Sequence, residues 1–242
     1  VLIGVITGIF SGIALFLLYQ FPLLAVFFPV MLFWIGGLVL AYWYSDIRFG
    51  WKYPMLQYII ITVLSLFALL SILELTVLKY GLIVVISTII GVLYGWGALQ
   101  EDAPWQSEKP FRRFVAIVTA FDAYALMTFF FALSSFSSSP KLPLLFTVLG
   151  GIWYAIMALL MWRLYFNVRI KTFVFWLIII TITSVEIIWV VNLLPFGPTI
   201  LGFFVTWLWY LTQLFARFHF TSRGIIWERQ KWFIIANVIL FV

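Results

Sequence analysis

Residues 100–141, QEDAPWQSEKPFRRFVAIVTAFDAYALMTFFFALSSFSSSPK, hold the organisation of the chain in miniature. A polar segment with Lys109, Arg112 and Arg113 leads into an apolar run over 114–136, which ends in serines and a proline. A helix rises about 1.5 Å per residue, so a run of this length spans the ~30 Å hydrocarbon core of a bilayer. Backbone groups in lipid must be satisfied within the segment, which leaves helices and closed barrels. A barrel strand would alternate apolar and polar residues over about ten positions. This run does not alternate, and it predicts a helix.

The same pattern recurs along the chain. Apolar runs of spanning length fall at about 1–18, 22–44, 54–73, 80–99, 114–136, 143–163, 172–194 and 199–216, and a ninth begins near 232. Composition agrees: 66% of the 242 residues are hydrophobic and 9% are charged. Soluble domains carry roughly a quarter charged residues, so lipid is the expected solvent. The net charge of +6 would suggest nucleic acid in a soluble protein; here its placement points to the membrane surface and to no nucleic-acid partner. The absence of Cys excludes disulfides, zinc–thiolate sites and thiol catalysis.

Charge placement also orients the runs. The loops after the second, fourth, sixth and eighth runs hold Arg48, Lys52, Lys109, Arg112, Arg113, Arg163, Arg169, Lys171, Arg217, Arg223, Arg229 and Lys231. The other loops hold only Lys79 and Lys141 of the 14 basic residues. Basic residues collect on the cytoplasmic side. The expected fold is therefore all-α: eight complete transmembrane helices plus a truncated ninth, arranged as four hairpins with the N-terminal side cytoplasmic. The expected location is a prokaryotic plasma membrane. Loops are short throughout, so residues 1–242 form one membrane domain. The chain opens and closes inside apolar runs, which is expected of a segment of a longer protein. Cytoplasmic loops recur every 55 to 60 residues, a spacing that duplicated hairpins would give, although no residue-level match accompanies it.

Two acids interrupt the apolar runs. Asp122 lies about 12 Å from the inner end of the fifth run and Glu186 about 21 Å from the start of the seventh. Burying a charge at such depth costs a few kcal/mol. Each acid must take up a proton, meet a partner or face water. Thr183, Glu186 and Trp189 share a helical face at i, i+3 spacing, with Asn192 beyond, and Thr119 lies one turn below Asp122. The sequence therefore nominates Glu186, Asp122, Thr183, Asn192 and Thr119 as a proton- or cation-coupling group facing a hydrated interior. The competing reading is a protonated carboxyl that hydrogen-bonds between helices.

Small residues form a second pattern. Gly4, Gly8 and Gly12 repeat at four-residue spacing in the first run, as do Gly91 and Gly95 in the fourth, the spacing of close helix packing. Gly36–Gly37, Gly150–Gly151, Pro22 and Pro29 are places where helices are free to bend. Aromatics such as Trp43, Trp51, Trp105 and Tyr165 fall at run ends, where amphipathic rings suit the headgroup layer. Arg112, Arg113, Arg163, Arg169, Arg223 and Arg229 are expected to contact anionic lipid headgroups.

The one His is His219, at a run edge, which excludes bis-histidine haem; no nucleotide-binding loop, zinc-protease or serine-hydrolase signature is present. No cofactor is expected. Three functions compete: a permease coupled to protons or cations through Asp122 and Glu186; a non-catalytic subunit of a homo- or hetero-oligomer; and a lipid-modifying enzyme using Glu101, Asp102 and the Arg112–Arg113 pair. The first is favoured because of Glu186.

Overall fold

A computed structural model describes residues 2–21, 23–49, 55–97, 99, 108–136, 141–166, 170–219, 231 and 235. These form eight helices: α1 (Leu2–Gln20), α2 (Leu24–Phe49), α3 (Met55–Ile72), α4 (Thr76–Gly97), α5 (Lys109–Ser135), α6 (Lys141–Arg163), α7 (Ile170–Val191) and α8 (Pro198–His219). Seven are long and apolar enough to cross a membrane, the make-up of a multi-pass membrane protein. The exception is α3, whose apolar part is confined to Leu56–Ile72. The run beginning near 232 lies almost wholly outside the described residues.

Hydroxyl side chains fit these apolar helices by donating to the turn before them. Thr88 donates to the Val84 carbonyl at 2.8 Å, Thr181 to Leu177 at 2.8 Å and Thr212 to Leu208 at 2.9 Å. Each such bond satisfies a polar group without water. Pro29 sits inside α2, yet the helix continues past it to Phe49, five residues beyond the expected end of that run.

Helix neighbours follow one order in both halves of the chain. Within α1–α4 the first helix packs against the second and fourth, and the third against the fourth; α5–α8 repeats this order. The halves join where α5 meets α3 and α4. A difference lies between the middle helices: α6 packs closely on α7, whereas an apolar cavity of about 160 Å³ separates α2 from α3.

Backbone contact seals α1 to α4. A Cβ on Gly4 would lie 2.6 Å from the Gly95 Cα, and one on Gly91 would lie 2.9 Å from the Gly4 carbonyl oxygen. A Cβ on Gly8 would lie 3.3 Å from the Gly91 Cα, and one on Gly12 would lie 2.9 Å from the Ser87 hydroxyl. Trp34 Nε1 donates to Ser11 at 3.1 Å, and the Tyr94 hydroxyl donates to the Leu38 carbonyl at 2.6 Å, tying α2 to this pair. The Gly150–Gly151 pair lies inside the continuous helix α6. It seats α7: Gly150 leaves room for Ile188 and Met127, and a Cβ on Gly151 would lie 3.0 Å from the Thr181 carbonyl.

Candidate functional site

α5 is the hub of the second half, in contact with α3, α4, α6 and α8. Asp122 is the central residue of this 27-residue helix, about 20 Å from either end. Its side chain is 1% exposed. Thr62 of α3 donates its hydroxyl to Oδ2 at 2.7 Å. Oδ1 is buried and has no hydrogen-bond partner. Ser65, one turn farther along α3, is also fully buried, and its hydroxyl likewise has no partner. Thr119 is buried one turn back on α5 and donates to the Val115 carbonyl at 2.8 Å.

More polar groups line the neighbouring seams. Thr206 donates to the Gly202 carbonyl at 2.8 Å, so the 2.8 Å contact between Thr206 and Tyr154 requires the tyrosine hydroxyl to donate. Trp209 Nε1 donates to the Tyr154 carbonyl at 3.0 Å, and Tyr58 to the Leu160 carbonyl at 2.9 Å. Gln213 Nε2 meets the Met161 sulfur at 3.3 Å. The interior between α3, α5, α6 and α8 therefore contains hydroxyls, an amide and one acid, with no Lys or Arg bonded to that acid among the described residues.

Glu186 is placed differently. Among the described side chains of α7, Phe173, Ile180, Ser184, Ile188 and Val191 are buried. Glu186 falls two residues from both Ser184 and Ile188, which turns it to the opposite side of the helix. It is exposed, as is Asn192; Trp189 is 52% exposed, and Thr183 is half-buried. The shared face expected of these four residues thus lies on the outside of the bundle rather than in its interior. Glu186 is also five residues from the end of α7, roughly 8 Å, nearer a helix end than Asp122. α6 and α8 are the packed neighbours of α7, and the two acids do not meet.

Of the expected headgroup arginines, Arg112 and Arg113 lie in the first turns of α5 and Arg163 at the end of α6. Arg163 Nη1 donates to Gln57 at 3.3 Å, the Arg112 guanidinium lies 5.8 Å from the Tyr165 ring centre, and Arg113 is exposed. Arg169, Arg223, Arg229, Glu101 and Asp102 lie outside the described residues. Among the described residues no three Asp, Glu, His or Cys side chains gather at a common point suited to a metal.

Thr62 and Ser65 are the site residues that the reading of the sequence passed over. Their signal was present: two hydroxyls at i, i+3 in the run YIIITVLSLF define one polar face of α3. No protein-family model, curated protein or solved structure matches the chain, so function rests on this geometry.

Proposed function

We propose that the chain is a permease-like membrane protein in which Asp122, rather than Glu186, binds the coupling proton or small cation. The observation that carries this reading is the environment of Asp122: a carboxyl at the middle of the central helix, held through one oxygen by Thr62, with the other oxygen unpaired. An ionised carboxylate at that depth costs about 3 kcal/mol or more. A bound proton or monovalent cation removes the charge and lets α3 close on α5. Loss of that ion restores the charge and favours an arrangement in which water reaches the seam. Ion occupancy and helix packing are then two sides of one equilibrium, as coupling requires. Ser65 offers a second oxygen on the same face of α3.

The test is ion binding to the purified protein. Wild-type protein takes up a proton or sodium ion in a titration, Asp122→Asn does not, and Glu186→Gln behaves as wild type. Equal uptake by wild type and Asp122→Asn contradicts the assignment.

A second reading, a subunit of a larger membrane complex, is favoured by the exposed side of α7. There Glu186 and Trp189 lie among Ile178, Ile182 and Val190, all exposed. A partner helix with a hydrogen-bond donor at the level of Glu186 would satisfy that carboxyl. The lipid-modifying enzyme has no comparable support.

A further inference from the structure

Two grooves, one along α1 and α4 and one between α5 and α8, differ in chemistry. The larger, about 780 Å³ along α1 and α4, has no charged residue in its lining. The second, about 650 Å³, runs between α5 and α8 and has Arg113 at one end. Ala116 and Ala120 form its floor, and Phe203, Trp207 and Tyr210 stand along its α8 wall. From Arg113 the lining continues along α5 to Tyr124, about 16 Å at helical rise. That length matches one leaflet, half of the ~30 Å hydrocarbon core. Arg113 is four residues from the start of α5, which puts its guanidinium at headgroup depth. Arg112 stands beside it over the Tyr165 ring and adds positive charge at the same mouth.

A cation at the surface, a floor of small residues and an aromatic wall one leaflet deep complement an anionic amphiphile. We infer that the α5–α8 groove binds one anionic phospholipid, its phosphate at Arg113 and an acyl chain laid over Ala116 and Ala120. Guanidinium suits this task because it donates two parallel hydrogen bonds to phosphate oxygens. The site belongs to the leaflet that Arg113 faces, and it does not depend on what Asp122 binds.

Native mass spectrometry of the purified full chain tests it, with phosphatidylglycerol and phosphatidylcholine of equal chain length as probes. Wild type should hold phosphatidylglycerol in preference to phosphatidylcholine. Arg113→Gln should weaken phosphatidylglycerol roughly fivefold and phosphatidylcholine less, because the choline cation offsets the attraction between its phosphate and the guanidinium. Arg163→Gln, at the same end but outside the groove, should retain the preference. Ala120→Leu should reduce both lipids by narrowing the floor. Ile117→Trp should do the same from a position that is 69% exposed and tolerant of bulk, and it decides the matter where Ala120→Leu does not fold. Equal binding of the two lipids by wild type overturns the proposal. So does an equal loss in Arg163→Gln and Arg113→Gln, or undiminished binding in Ile117→Trp.

Discussion

α5 keeps Asp122 at its centre against Thr62, whereas α7 carries Glu186 on its exposed side beside Trp189. Both helices are apolar and each brings one acid into the span, yet their surroundings have little in common. Over half of the apolar window of α5 is buried, against about a fifth of that of α7. The difference follows from neighbours. α5 is enclosed by α3, α4, α6 and α8, while the main contacts of α7 are with α6 and α8. An acid on the enclosed helix must find its partner within the chain. One on the peripheral helix can be served by lipid headgroups, water near the boundary or another protein.

The largest effect expected from this contrast comes from unseating α7. Gly151→Leu drives a side chain into Val185 and the Thr181 carbonyl, and should cost about 3 kcal/mol of unfolding free energy in mixed detergent micelles. A loss below about 1 kcal/mol would mean that α7 does not rest on this seam. Next comes the Asp122 bond. Thr62→Val leaves Oδ2 buried without a donor and should cost about 2 kcal/mol. Adding Asp122→Leu to that variant should restore most of the loss, since removing both polar partners is nearly neutral. Failure of the double variant to recover would show that other groups hold the carboxyl. Smallest is Glu186→Leu, expected to change the stability of the isolated chain by no more than about 0.5 kcal/mol, as at other exposed positions. A loss of 2 kcal/mol or more would place Glu186 inside a packed contact and erase the contrast.

What was legible in the sequence follows the same line. Helices were readable because length and apolarity are local properties, and the runs at 114–136 and 143–163 anticipate the ranges of α5 and α6 closely. The third run, 54–73, was read as spanning like the others, yet α3 is the helix with the shortest apolar stretch. Spacing also showed that Thr183, Glu186 and Trp189 share a face. It carried no information on where that face points, because α7 is apolar almost all round and periodicity fixes angles within a helix only. The four-residue glycine spacing in α1 and α4 was equally visible. That the two stripes meet each other is a property of the pair. Thr62 illustrates the same limit: it is 60 residues from Asp122, and only the packing of α3 on α5 brings them together.

The proposed function requires that the interior acid, not the peripheral one, exchanges an ion with water. Infrared difference spectroscopy of the reconstituted protein, moved from H₂O to D₂O, reads this directly through the carboxyl stretching band. The expected result is a deuterium-shifted carboxyl band that disappears in Asp122→Asn and survives in Glu186→Gln. A shifted band that survives in Asp122→Asn and disappears in Glu186→Gln would contradict it.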